Sequence, residues 1–286
     1  MDKSKRIILV TGATGKQGRA VLHHLLKRGF PVRALTRDPD KPELRSLAGH
    51  RTEVVRGDLD DAASLDRALD GVYGVYSMGT YRERGIEGEI RMGAALAEAA
   101  RRAAIDHLVY SSVGSADRQT GIPHFESKFQ VEEHIRKTGV PYTILRPVFF
   151  MENWQAMRSM IEGGTLAQPL DPARTLQQIA VDDIGAFAAL AFEHPGRWLG
   201  RAVELAGDEL SMSQVAETMG RVLSREVRYQ QVPWDQFEKN AGAEMTSMYR
   251  WFNDVGYNAD IPALRQEYGE LSTLEPWLRG NGWGTP

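Results

Sequence analysis

The stretch HFESK sets His124 and Lys128 four positions apart, a spacing that places both side chains on one helix face, one turn from each other. An imidazole titrates near neutral pH and can pass on a proton. An ammonium group can stabilise negative charge as it develops on a reacting atom. The two residues are therefore a candidate acid/base pair. The ordinary alternative is that His124, which follows Pro123 near a helix start, is a capping or partly buried residue.

A second constellation lies near the N-terminus. In RIILVTGATGKQGRAVLHHLL, Gly12, Gly15 and Gly18 form a G-x-x-G-x-x-G turn between an apolar run and an amphipathic stretch. Glycine there lets the chain turn sharply and brings its backbone close to a pyrophosphate. The amides opening the next helix then face the anion. About 20 residues on, where an NAD site offers a carboxylate to the ribose, the sequence has VRALTRDPDK. Arg37 comes first there, and a guanidinium suits a 2′-phosphate, with Lys41 as a second positive charge. NADP(H) is the expected dinucleotide. NAD(H) is the alternative, with Arg37 solvated and Asp38 on the ribose; Asp38 precedes Pro39, which fits a turn instead. In GDLDD, Asp58 and Leu59 could flank the adenine, while Asp60 or Asp61 caps a helix.

The elements that must carry these residues follow from the hydrophobic pattern. RIILV (6–10), PVRALT (31–36), TEVVRG (52–57), GVYGVYSM (71–78), DHLVYSS (106–112) and YTILRP (142–147) have the composition of strands. Several are continuously apolar, as in a sheet covered on both faces. Helical stretches over 17–28, 43–48, 61–69, 86–103 and 124–137 alternate with them, and Gly29 and Gly139 fall where helices should stop. That rhythm predicts an α/β fold with a doubly wound parallel sheet of Rossmann type over residues 1–150. Beyond it, helices near 151–162, 182–193, 211–223 and 233–254 alternate with strand-like LQQIAV and AVELAG. Residues 151–286 are expected to form a smaller, mostly helical lobe packed on the first domain, with a return of some segments to the sheet left open. Its aromatic and methionine residues, from Phe149 to Trp154 and from Met245 to Phe252, suit either a core or an apolar pocket.

Composition narrows the class. The 286 residues carry 35 Lys and Arg against 38 Asp and Glu, a net charge of −3 that argues against a nucleic-acid or anionic-membrane partner. With no cysteine there is no disulfide, thiol nucleophile or thiolate metal site, which fits a reducing, cytoplasmic setting. His23, His24, His50, His107 and His194 lack metal-ligand spacing with carboxylates, so no metal is expected. Asp182 and Asp183 precede IGAFAALAF and are expected to cap a helix. No G-x-S-x-G elbow is present.

Taken together, TGATGKQG, TRDPDK, GDLDD, HFESK, LRPVFFMEN and MYRWFNDVGYNADIPAL resemble the NmrA-like family, atypical members of the short-chain dehydrogenase/reductase superfamily. The resemblance runs along nearly the whole chain. It implies a Rossmann domain holding the dinucleotide and a smaller lobe over the nicotinamide end. It also implies one of two activities: an NADP(H)-dependent quinone or dye reductase, or an NADP-sensing regulator that binds another protein. By the same resemblance, cofactor contacts fall on Gly12, Thr14, Gly15, Lys16, Gln17 and Gly18, on Arg37, Asp58 and Leu59, and on Met78, Gly79 and Thr80, in the stretch from Met78 to Tyr81 that lies beside the adenosine or pyrophosphate. Arg91 sits where the sensor-like members have a basic residue, and Lys128, Phe150, Met151, Glu152 and Asn153 fall near the nicotinamide ribose.

The broader short-chain reductases carry Tyr-x-x-x-Lys where this chain has His124 and Lys128. The lysine is kept and the proton-donating tyrosine is not. Ser111 or Ser112, ending VYSS, could take the place of the serine that orients substrate. Reduction of a quinone-like acceptor tolerates the change, because the hydroquinone anion is stabilised by its own ring and can take a proton from water. The expected partner is thus a small conjugated acceptor, with His124, Lys128 and Ser111 as candidate catalytic groups. A regulator without turnover, a redox sensor with a protein partner, is the alternative.

Overall fold

The computed structural model describes residues 2–41, 44, 49 and 51–284. The chain forms two compact units. The first comprises residues 1–117, 123–146 and 181–203, and the second residues 118–122, 147–180 and 204–286. The helix expected over 43–48 falls almost wholly outside the described residues, as does His50.

The first unit is a Rossmann-type α/β layer structure. Its strands are β1 (Ile8–Val10), β2 (Val32–Thr36), β3 (Thr52–Arg56), β4 (Gly74–Met78), β5 (His107–Ser111), β6 (Tyr142–Pro147) and β10 (Ala202–Leu205), the last two running to its boundary. They form one sheet in the order β10-β6-β5-β4-β1-β2-β3. The pairs from β6 across to β3 are all parallel. Ile8, Leu9 and Val10 are wholly buried because helices cover both faces, which is why this strand has no polar alternation. On one face Leu65, Leu69, Leu96, Ala100, Val131 and Ile135 close over Leu9, Val75, Leu108 and Ile144. On the other, helix Lys16–Lys27 meets helix Val181–Glu193 so closely that a Cβ on Gly185 would lie 2.5 Å from the Ala20 carbonyl carbon.

The strand order fixes where a ligand belongs. From β1 the chain moves outward through β2 and β3, then returns to place β4 on the other side of β1. Loops leaving β1 and β4 therefore diverge and open a crevice at the C-terminal strand ends. The glycine-rich turn and the segment after Met78 are those two loops.

The helix after β4 differs from expectation. It runs Tyr81–Arg102, starting five residues earlier than the hydrophobic pattern indicates, but Gly85 inside it has φ 70° and ψ −178°. Only glycine adopts that conformation readily, so a short polar segment precedes the amphipathic part that the pattern detects.

In the second unit, β7 (Phe149–Phe150), β9 (Thr175–Ile179) and β11 (Asp208–Ser211) make a three-stranded sheet. β8 (Thr165–Gln168) pairs in parallel with β12 (Arg228–Gln231). Helix Met212–Leu223 begins with a capping box in which Ser211 and Gln214 bond each other's backbone amides. The single helix expected over 233–254 is two, Trp234–Ala241 and Ala243–Asp254, split by Gly242 at φ 84° and ψ 164°. The aromatic cluster is largely core: Trp154 and Phe252 are buried, Phe149 lies 5.0 Å from Trp154, and Tyr249 lies 5.4 Å from Phe252. No helix among the described residues is long and apolar enough to cross a membrane.

Candidate functional site

The glycine-rich turn is built around close backbone packing. Gly12 has φ 62°, and a Cβ there would sit 2.9 Å from the Met78 sulfur. At Gly18 the constraint is harder: a Cβ would lie 2.1 Å from the Gly12 carbonyl oxygen, inside any tolerable contact. The Gly15 amide donates to that same carbonyl at 2.8 Å, closing the turn. Gly15 caps the helix and no side chain bonds its first-turn amides. That leaves an anion cradle of backbone N–H groups at Lys16, Gln17 and Gly18, reinforced by the helix dipole. Lys16 is exposed, and the Thr14 carbonyl accepts from Arg19 Nε at 3.0 Å.

Two clips fix the crevice walls. The Met78 amide donates to the Thr11 hydroxyl at 2.9 Å, and that hydroxyl returns a bond to the Met78 carbonyl at 3.2 Å. The Gln17 side-chain oxygen accepts from Ser111 Oγ at 2.7 Å and from the Tyr76 hydroxyl at 3.0 Å. Ser111, expected as a substrate-orienting group, is buried and engaged by Gln17. Burial raises the pKa of the Tyr76 phenol, so it stays a neutral donor. Ser112 points elsewhere, donating to Glu132 at 2.6 Å. Glu132 also takes bonds from Arg146 and Arg136, making an ionic cluster around a buried carboxylate.

At the C-terminal ends of β2 and β3, Arg37, Arg56, Gly57, Asp58, Asp61, Ser64 and Arg67 line an open cleft of about 410 Å³. Three guanidinium groups in one cleft suit a phosphate. Arg37 donates to Glu83 at 2.7 Å. Asp38 turns back on its own loop, its Oδ1 accepting from the Asp40 amide at 3.1 Å. Lys41 is exposed beside that loop and accepts from the Leu44 amide through its carbonyl. Asp58 behaves likewise, with Oδ1 accepting from the Asp60 amide, and Leu59 packs against the sheet-face core. Asp61, not Asp60, caps helix Ala62–Leu69. Asp60 instead accepts from Arg91 at 3.0 Å, and that bond holds its carboxyl below the usual range. Thr80 caps the helix it precedes, bonding the Arg82 amide.

At the other end, helix Pro123–Thr138 presents HFESK. Lys128 Nζ donates to Glu89 Oε1 at 2.9 Å and to the Gly79 carbonyl at 3.2 Å. Glu89 is buried and takes a second bond from Ser127 Oγ at 2.6 Å. The Lys128 ammonium also lies 5.9 Å from the centre of the Tyr110 ring. Tyr110 is fully buried, and its hydroxyl has no hydrogen-bond partner among the described residues; burial and then the Glu89 and Glu132 charges push its pKa well up. His124 is half-buried, and its ring stacks on Tyr81 with centroids 5.1 Å apart and planes 22° apart.

Lys128 and His124 thus gather with Gly79, at the end of β4, and with Tyr81. Sequence alone does not pick out Glu89 or Tyr110, and it does not bring Tyr81 to His124. Glu89 is one acid among many on a charged helix, and Tyr81 lies in the polar segment before Gly85. The only signal was that a retained lysine needs a counter-charge. Phe150, Met151, Glu152 and Asn153 belong to the second unit. There Met151 is buried and Glu152 accepts from Trp277 Nε1 at 3.2 Å. Asp182 and Asp183 lie in the first turn of their helix; Asp182 pairs with His24 at 3.0 Å, a bond that lowers its pKa, and Asp183 is buried.

A parallel sheet with its crevice at a glycine-rich turn defines a Rossmann-type fold. The chain belongs to the NmrA-like family, whose model matches residues 4–278. It is 31% identical over 237 residues to an NAD(P)H azoreductase of Xenophilus azovorans, covering 80% of this chain and 78% of that one. It is 26% identical over 294 residues to the nitrogen metabolite repression protein nmrA of Emericella nidulans, covering 94% and 77%. Its fold matches the triphenylmethane reductase of Citrobacter sp., solved with NADP(H), at a TM-score of 0.84 and 24% identity, covering 96% of this chain and 99% of that one.

Proposed function

We propose that this chain binds NADP(H) and reduces a flat, conjugated acceptor of the quinone, azo or triarylmethane dye class. The observation that carries the reading is Lys128, held by Glu89 and the Gly79 carbonyl at the end of β4, beside the glycine-rich turn. The azoreductase relative and the triphenylmethane reductase structure support the acceptor class. The residues fit the dinucleotide: the cradle at Gly12, Gly15 and Gly18 has no room for a Cβ at its tightest point, and its amides lack side-chain caps.

Gly12 to Gly18 would hold the pyrophosphate, Arg37 with Lys41 the 2′-phosphate, Asp58 and Leu59 the adenine side, and Met78 to Thr80 the crevice wall. Arg91 acts through Asp60. When bound, the cofactor supplies a hydride to the acceptor. Lys128 fixes the nicotinamide ribose and stabilises negative charge on the reduced acceptor. With a quinone or azo acceptor His124 passes one proton to the heteroatom and regains it from water, the stack with Tyr81 orienting its ring, whereas a triarylmethane cation takes the hydride at its central carbon and needs no proton. Ser111 acts indirectly by holding Gln17. Because the ring of the acceptor stabilises the anion, a tyrosine is dispensable.

The second reading, an NADP(H) sensor that binds a protein partner, draws on the engagement of Lys128 by Glu89 and on the repressor relative. NADPH consumption against quinones, azo dyes, triphenylmethane dyes and aldehydes separates the two. Saturable turnover on a conjugated acceptor, lost in Lys128→Ala and reduced in His124→Phe, is expected. Tight NADPH binding without turnover on any acceptor would overturn the enzyme reading in favour of the sensor.

A further inference from the structure

The Arg37 guanidinium already holds an anion of the protein's own. Glu83 Oε2 accepts from Arg37 Nη2 at 2.7 Å, and both side chains are about half exposed. Asp60, which also feels the Arg37 charge, is bonded by Arg91 at 3.0 Å and approached by Arg84 at 3.9 Å, so Glu83 is the carboxylate hydrogen-bonded to Arg37. Glu83 also stands on the short segment Tyr81–Arg84, ahead of Gly85. A Cβ on Gly85 would meet nothing within 4 Å among the described residues, so the space beside this non-helical residue is open. A turn about Gly85 can carry Glu83 away while the helix that follows keeps its register.

We propose that Glu83 is an internal competitor for the 2′-phosphate on Arg37 and thereby sets the margin by which the site prefers NADP(H) over NAD(H). The inference rests on the assignment of Arg37 to the 2′-phosphate made above. A phosphate and a carboxylate ask the same thing of a guanidinium, paired N–H donors and positive charge. A 2′-phosphoadenosine ligand must displace Glu83 and then bear its negative charge nearby. A ligand without the 2′-phosphate leaves the pair intact and gains nothing from its removal. The competition is modest, because an exposed ion pair is weak and screened by salt.

The test is calorimetric titration of the full chain with adenosine 2′,5′-bisphosphate and with 5′-ADP, at low and high salt. Wild type, Glu83→Gln, Arg37→Ala and the nearby exposed Glu87→Gln are compared. Glu83→Gln is expected to tighten the 2′,5′-bisphosphate about three- to fivefold, the upper part of what an exposed pair allows. That gain should shrink at high salt. Its affinity for 5′-ADP, and both affinities of Glu87→Gln, should stay within about twofold of wild type. If wild type prefers the 2′,5′-bisphosphate, Arg37→Ala loses that preference and Glu83→Gln matches wild type, the competitor is overturned while the phosphate site stands. If wild type shows no preference for the 2′-phosphate, both fall. Equal tightening in Glu87→Gln would reduce the effect to net charge and overturn the role of Glu83.

Discussion

Lys128 Nζ and Glu89 Oε1 lie 2.9 Å apart, with Glu89 buried and its second oxygen bonded by Ser127. The carboxylate reaches the lysine from the helix after β4, so the pair ties HFESK to the element bordering the crevice. Each partner is compensated by the other, and removing one leaves a desolvated charge behind. Glu89→Gln and Lys128→Met are each expected to cost about 2 kcal/mol. The double variant should cost less than their sum by at least about 1 kcal/mol. Urea denaturation of the four proteins measures this, and strict additivity would show that the contact carries no coupling. In Glu89→Gln the fold and dinucleotide binding should survive while turnover falls, because Lys128 is no longer held.

The glycine-rich turn makes a graded prediction. A Cβ on Gly15 would stand 3.2 Å from the Gly12 carbonyl oxygen, and one on Gly18 would stand 2.1 Å from it. The first contact is relieved by a small shift; the second requires the helix to move off the turn. Gly18→Ala is expected to lose at least about 2 kcal/mol of stability and most of its dinucleotide affinity. Gly15→Ala should lose less than about 1 kcal/mol and keep measurable binding. Thermal unfolding with and without NADPH distinguishes them, and equal effects would mean that the backbone approach does not limit the cradle.

Most of this frame was legible in the residues, for a physical reason. The strand and helix periods, the glycine spacing and the retained lysine are local signals, and a doubly wound sheet converts them into one crevice by topology. What escaped depends on long-range placement. Glu89 finds Lys128 from 39 positions away, and Glu83 finds Arg37 from 46. Neither acid differs in sequence from its solvated neighbours. The resemblance sets Tyr81 beside the adenosine or pyrophosphate, but its stack on His124 was not legible, because the helical pattern starts after Gly85. Ser111 was chosen for standing at a strand end, which it does, yet its hydroxyl turns to Gln17. The short strands β7, β8, β11 and β12 were missed because runs of two to four residues carry almost no periodicity.

His107 gives stability a pH dependence. It is wholly buried in β5, its Nε2 lies 2.8 Å from the Thr143 hydroxyl, and burial lowers its pKa from 6.5 to about 4. Above about pH 6.5 the ring is neutral in both folded and unfolded chains and the shift contributes nothing. Between pH 6.5 and pH 4 the unfolded chain takes up a proton that the folded one refuses, so stability falls as pH falls, by up to about 3 kcal/mol. Below about pH 4 both forms are protonated and this contribution levels off. Urea midpoints at pH 7 and pH 5 should therefore differ less in His107→Asn than in wild type. An unchanged difference would place the acid sensitivity on other groups.

Gly85 offers a way to separate Glu83 from Arg37 without touching either. Its φ of 70° and ψ of −178° lie where an alanine is strained by about 1–3 kcal/mol. Since nothing would obstruct the new methyl group, Gly85→Ala relieves the strain by moving the backbone and not by repacking a core. The segment Tyr81–Arg84 then leaves its present course, and Glu83 leaves Arg37. Affinity for adenosine 2′,5′-bisphosphate should rise as it does in Glu83→Gln, with 5′-ADP unchanged. Combining the two substitutions should add nothing, because both remove the same contact. Additive tightening would mean that Gly85 acts on the site by another route. Weakened binding would mean that the segment is needed in place to seat the nucleotide.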